Sequence, residues 1–246
     1  MEISAIFNII LSNSRIGGEK ILASRARAFR RSEAEAVSSA QKMFEQSCII
    51  PLARDCQCRL AFYMKTKFIL HGGYAGRSNP SNDDFFKEIL KDTPKNIKIL
   101  LVYFTEDESD FSRVQEEDIS QFEKNKGAKN LTFEIASTES FSQQIAQSDI
   151  IYLHGGKTLK LLEALKKWPN FREFLNGKIV AGESAGAYAL SSYFYSKTEG
   201  GIFEGLGFVP VKIICHYIGE NEEKLKECSN ELETLLLADY QYKVFQ

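Results

Sequence analysis

Residues 178–186 read Lys-Ile-Val-Ala-Gly-Glu-Ser-Ala-Gly. The apolar start has the character of a buried strand, and it runs without a linker into Gly182-Glu183-Ser184-Ala185-Gly186, a G-x-S-x-G pattern. A serine at the centre of that pattern needs a sharp turn from strand to helix. The glycines two residues away on either side remove side chains that would collide across the turn. Such a turn lifts the hydroxyl above the carboxyl end of a sheet and gathers the N–H groups of the helix start around it, where a developing oxyanion would find donors. The segment therefore predicts both a fold, with a strand feeding a helix, and a nucleophile, Ser184.

The text on both sides keeps the same rhythm. Residues 67–70 form a short apolar strand before His71-Gly72-Gly73, and residues 83–91 a helix with Ser81 or Asn82 as its N-cap. Residues 98–104 (KILLVYF) are a continuous apolar run, as in a strand buried on both faces. A helix over 111–124, a strand over 131–135 and a short helix over 141–146 follow. Residues 149–153 (DIIYL) make another buried strand, ending in His154-Gly155-Gly156, and a helix over 159–167 stops before Pro169. After the elbow come a strand over 211–217, a helix over 222–236 and a last strand over 240–245. Strands alternating with helices at this spacing are βαβ units, whose crossovers are right-handed. The expected fold is α/β: a doubly wound, mostly parallel sheet of flavodoxin-like type with helices on both faces.

Composition bounds the function classes. The chain has 246 residues, 43% of them hydrophobic and 26% charged, with a net charge of −2, so no basic surplus points to nucleic acid. No run of eighteen apolar residues exists to span a membrane. Five cysteines in no pattern predict a reducing, cytoplasmic setting, and Cys56-x-Cys58 lacks the second ligand pair a metal site needs. With no P-loop or dinucleotide fingerprint either, neither a metal nor a cofactor is expected. Residues 1–63 differ from the rest, with nine basic residues against six acidic, where residues 64–246 have 22 against 27. They also lack clean periodicity. They are expected to form a poorly ordered extension, and residues 64–246 the functional domain.

A nucleophilic serine needs a base, and the chain offers three histidines, His71, His154 and His216, each at a predicted strand end. His216 follows Ser184 by 32 residues, about one crossover, the separation expected for neighbouring strands. It is the preferred base, with His154 the alternative. Gly155 and Gly156 allow close backbone approach and could add a second oxyanion donor to the N–H of Ala185.

These residues resemble the peptidase E group of serine peptidases, which includes aspartyl dipeptidases and cyanophycinases and shares the fold of the class I glutamine amidotransferases. The likeness spans residues 64–246 and rests on His154-Gly155-Gly156, on the elbow followed by Ala187, and on Gly205-Leu206-Gly207-Phe208 before Pro210 and His216-Tyr217. It implies Ser184 as nucleophile, His216 as base, and Gly156 with Ala185 as oxyanion hole. The family's acid falls between nucleophile and histidine, which implies Glu199 here, with Glu204 and Asp239 as competitors. The expectation is a cytoplasmic peptidase, monomer or homodimer, that hydrolyses small peptides through an acyl-enzyme, including dipeptides with an N-terminal aspartate. Arg77, Lys157 and Lys197 are the candidate cations for a substrate carboxylate. General α/β-hydrolases are disfavoured because only 62 residues follow Ser184. The alternative class is a non-catalytic protein that keeps the fold and binds a small ligand.

Overall fold

A computed structural model describes residues 65–105 and 111–246. The expected extension over 1–63 lies outside those residues. The central sheet has six strands: β1 (Lys67–His71), β2 (Asn96–Val102), β3 (Asn130–Ile135), β4 (Ile150–Leu153), β5 (Ile179–Glu183) and β10 (Tyr242–Phe245). Their spatial order is β10-β1-β5-β4-β2-β3, parallel throughout except for β10, which runs antiparallel to β1 at one edge. Alternate residues of each central strand face opposite sides, so continuous apolar runs supply two separate cores. Ile69, Ile99, Leu101, Ile150 and Ala181 face one core, which α1 (Pro80–Leu90) and α2 (Phe111–Asn125) cover with Phe85, Phe86, Ile89 and Phe122. Leu70, Leu100, Val102, Ile151, Leu153 and Val180 face the other. That side is covered by α3 (Phe141–Gln147), α4 (Thr158–Leu165), α5 (Phe171–Phe174) and α6 (Ala185–Leu190). Both faces of the sheet carry helices, as the alternation of strands and helices predicts.

The chain beyond the elbow departs from that prediction. It forms a second sheet, in the order β7-β6-β8-β9, from β6 (Ser191–Ser196), β7 (Gly201–Glu204), β8 (Val209–Cys215) and β9 (Glu233–Leu237). The helix expected over 222–236 is only a single short 3-10 stretch, Glu222–Glu227, after which Glu233–Leu237 pairs in parallel with β8. The physical reason is burial. Leu235 and Leu237 alternate into the core beside Ile213 and Cys215, so period-two packing wins over the helical propensity of Glu, Lys and Leu. Strands β6 and β7, rich in Tyr and Phe, were not anticipated. The α1 cap also moves: Asn79, not Ser81 or Asn82, accepts the N–H of Ser81 at 2.9 Å, with Pro80 opening the helix.

The elbow glycines show how tight the turn is. A Cβ on Gly182 would lie 2.5 Å from the backbone carbon of Gly186, and one on Gly186 would lie 2.3 Å from the carbonyl oxygen of Leu153. Backbone atoms cannot yield as a flexible side chain can. Gly186→Ala should therefore cost roughly 1–3 kcal/mol or more, the scale of overpacking in a rigid core, read as a lowered urea midpoint. Gly201→Ala is the comparison, because its Cβ would meet only the Phe203 ring at 3.6 Å. That change should leave the unfolding free energy within about 0.5 kcal/mol of wild type, as for most surface substitutions.

Candidate active site

Ser184 stands between β5 and α6 with φ 45° and ψ −98°, a region that L side chains rarely enter. Its N–H donates to the carbonyl of His71 at the end of the adjacent strand β1 (2.9 Å), and its carbonyl accepts the N–H of Tyr188 in the first turn of α6 (2.9 Å). Strand and helix thus grip the residue from both sides, and the hydroxyl is left to point outward.

His216 follows β8 directly. Its Nε2 lies 3.0 Å from Ser184 Oγ, and its Nδ1 lies 2.6 Å from Asp239 Oδ1. The carboxylate on the far side of the ring fixes the tautomer, with Nδ1–H donating to Asp239 and Nε2 open to accept the serine proton. The register of the second sheet brings the two together. Cys215 pairs with Leu237, so the residues just past these two strand ends, His216 and Asp239, meet over the end of β1. Glu199, the acid implied by the family pattern, is not at His216. It sits on the exposed turn between β6 and β7, where its N–H bonds to Ser196 Oγ and its side chain lines the cleft. Glu204, at the end of β7, does not line that cleft. Asp239 follows the histidine in the chain, so the family order that implies Glu199 leaves it only a competitor, and the helix expected over 222–236 hides the pairing that brings it to His216. Reading ETLLL as a strand parallel to β8 is the signal that would have found it.

The ring of His216 rests on glycine. A Cβ on Gly73 would fall 2.0 Å from its Cε1, and the N–H of His216 donates to Gly72 at 3.0 Å. Tyr74 meets the ring edge-on at 5.0 Å. His71, another of the three histidines, is fully buried and works beneath this turn. Its Nδ1 accepts the N–H of Gly73 (3.1 Å), which leaves Nε2–H to donate to Asn82 Oδ1 (3.1 Å). Asn82 in turn donates to the carbonyls of Tyr74 and Arg77. His154 faces the other way, with Nδ1 2.8 Å from Asp118 Oδ2 and 3.8 Å from Glu183 Oε2. Asp118, His154 and Glu183 are the one grouping among the described residues that could surround a metal ion, and they are bonded to one another and to the hydroxyls of Tyr103 and Tyr152.

Of the expected oxyanion residues, Gly156 (φ 112°) lines the cleft and Ala185 opens α6, where the first N–H groups have no partner within the helix. Gly155 lies deeper, packed over the carboxyl of Glu183 and the Cβ of Ser184. Cys215 is buried, with Sγ 3.8 Å from the Ser184 carbonyl and its thiol pushed well above the ordinary range by that burial. The cleft above Ser184 has a volume of about 670 Å³ and is lined with Tyr74, Tyr188, Tyr195, Tyr217, Ile214 and Ile218. Lys157 and Lys197 also reach it, whereas Arg77 stacks on Tyr74 at 3.6 Å. A wider open groove beside α1, about 1030 Å³, is lined by lysines but holds no nucleophile with a base.

Residues 68–237 match the sequence model of Peptidase family S51. The chain belongs to this family. Two solved structures share its architecture. One is a peptidase from an acI-B1 Actinobacterium, 20% identical over 75% of this chain and 84% of that one, with a TM-score of 0.55. The other is a putative peptidase E protein from Listeria monocytogenes EGD-e, 17% identical over 73% and 96%, with a TM-score of 0.54. At these identities the likeness is one of fold. A comparison with curated protein sequences gives no match. The family match includes Ser184 and His216 and ends two residues before Asp239. No helix among the described residues is long and apolar enough to cross a membrane.

Burial holds His71 neutral, lowering its pKa from 6.5 to about 4, with the nearby His216 adding to the effect and the bond to Asn82 opposing it. The unfolded chain takes up this proton near pH 6.5 and the folded chain only near 4. The contribution to stability is therefore complete above 6.5 and lost as the pH falls toward 4, by about 3 kcal/mol for such a shift. Urea unfolding at a series of pH values should show this slope, and His71→Leu should flatten it.

Proposed function

We propose that this chain is a serine peptidase that hydrolyses small peptides through an acyl-enzyme on Ser184, with His216 as the base and Asp239 as the acid that orients it. The single observation that carries this reading is the continuous line from Ser184 Oγ to His216 Nε2 (3.0 Å) and from His216 Nδ1 to Asp239 Oδ1 (2.6 Å). Such a line is what nucleophile activation requires: the base takes the hydroxyl proton as oxygen attacks, and the carboxylate stabilises the imidazolium that forms. The carbonyl oxygen of the scissile bond gains negative charge in the tetrahedral intermediate, and the N–H groups of Gly156 and Ala185 are the donors assigned to it in this reading. His216 then returns the proton to the leaving amine. Water, deprotonated by the same imidazole, attacks the acyl carbon, and collapse of the second intermediate frees Ser184.

The cleft favours small substrates, since about 670 Å³ is within the range of small-ligand sites. For an N-terminal aspartate, the cations that line the cleft are Lys157 and Lys197. Glu199 lies on the same wall as Lys197 and is suited to contact a substrate rather than His216.

A fluorophosphonate probe should label the wild-type protein and leave Ser184→Ala unlabelled. Asp239→Asn should lower kcat by roughly 10²–10⁴-fold, the upper end being the scale for removing an orienting carboxylate. Glu199→Gln should keep kcat within about threefold and act through KM, the pattern of a lost binding contact. A crippled Glu199→Gln beside a near-normal Asp239→Asn would reverse the assignment of the acid.

A further inference from the structure

Glu183, the residue before the nucleophile, is buried, although a carboxyl is costly to remove from water without partners. Its Oε1 accepts the N–H of Ala75 at 2.8 Å, and its Oε2 accepts the hydroxyl of Tyr152 at 3.2 Å. Burial raises its pKa, the nearby His154 opposes that, and Asp118 adds to it. The catalytic line of Ser184, His216 and Asp239 makes no use of this carboxyl.

Its place in the backbone suggests one. Ser184 N–H holds the carbonyl of His71, and Glu183 holds the N–H of Ala75. Consecutive residues of the elbow therefore grip the two ends of residues 71–75. Between those ends lie the groups that touch the base: Gly72, whose carbonyl accepts the His216 N–H, Gly73, on which the ring rests, and Tyr74, at its edge. Gly73 also accepts the N–H of Tyr240, the residue after Asp239. Moving Ala75 would move the seat of His216 and the segment that carries Asp239.

We propose that Glu183 is a positioning residue, which by accepting the Ala75 N–H fixes residues 72–74 and so holds His216 within reach of Ser184. The role requires an acceptor oxygen at that point and no negative charge. It rests on the reading of Ser184 and His216 as a reacting pair.

The test compares Glu183→Gln, which keeps an acceptor oxygen, with Glu183→Met, which keeps the shape without one. In Glu183→Met, kcat should fall by roughly 10–100-fold, the scale of a displacement of about 1 Å at the reacting groups, with KM changed less than about twofold. Glu183→Gln should recover most of that loss. A lesion of stability alone would lower the thermal midpoint and leave kcat at 25 °C untouched. Hydrogen exchange at the Ala75 amide in the full-length wild type adds a measurement that survives misfolding of Glu183→Met: slow exchange is expected. Wild-type kcat in Glu183→Met, equal damage in both variants, or fast exchange at Ala75 would each overturn the proposal. If the wild-type protein neither turned over peptides nor took the fluorophosphonate label, the reading of Ser184 would fail instead, while exchange at Ala75 would still report whether the clasp exists.

Discussion

The structure depends on one tight turn. At Ser184 the chain passes from the end of a buried strand into a helix with no intervening residue, in a backbone conformation of φ 45°. Such strain costs on the order of 1–3 kcal/mol and persists only where the surroundings over-determine it. Here they do so through contacts that admit no side chain at Gly182 or Gly186, and through backbone bonds from Ser184 to His71 and Tyr188. The turn also sets the position of everything around it, because β5 lies between β1 and β4 and so touches both His-Gly-Gly segments.

Those two segments have similar sequences and different work. At the end of β1, Gly72 and Gly73 make room for the His216 ring and for the approach of Ala238. At the end of β4, Gly156 borders the cleft while His154 turns down into a buried cluster with Asp118 and Glu183. The three residues of the proposed triad come from two sheets. The central sheet carries Ser184, and the second sheet delivers His216 and Asp239 from the ends of neighbouring parallel strands. A relative shift of the sheets would separate His216 from Ser184, so the backbone bonds of residues 72 and 73 to His216 and Tyr240 matter beyond their number.

Much of this was legible in the chain itself. The apolar runs at 98–104 and 149–153 marked doubly buried strands because they are of strand length and rich in β-branched and aromatic residues, and the elbow glycines marked Ser184 by the steric demand of the turn. The 32-residue spacing to His216 predicts neighbouring strands one crossover apart. Instead, β5 and β8 belong to different sheets with β6 and β7 between them in the chain, so His216 reaches Ser184 across the two sheets and not along one. The acid was not legible. Its position depends on the pairing of β9 with β8, a long-range contact, and the sequence Glu222–Glu227 has the composition of a helix that would have carried Asp239 elsewhere. The order of residues in the family pattern pointed to Glu199, and in space that residue faces the cleft rather than the imidazole. Strands β6 and β7 were hidden for a similar reason, since β6 joins the sheet only by pairing with β8, and β7 only by pairing with β6.

The central claim is that Ser184, held in its strained turn, is the nucleophile, with the N–H groups of Gly156 and Ala185 as its oxyanion donors. A crystal structure of the phosphonylated protein tests this most directly. The account predicts phosphorus bonded to Ser184 Oγ, a φ at Ser184 still near 45°, and a phosphonyl oxygen within about 3.1 Å of the N–H groups of Gly156 and Ala185, the geometry of an oxyanion hole. Phosphorus on another residue, or an adduct at Ser184 with its phosphonyl oxygen turned to solvent and away from both donors, would contradict it.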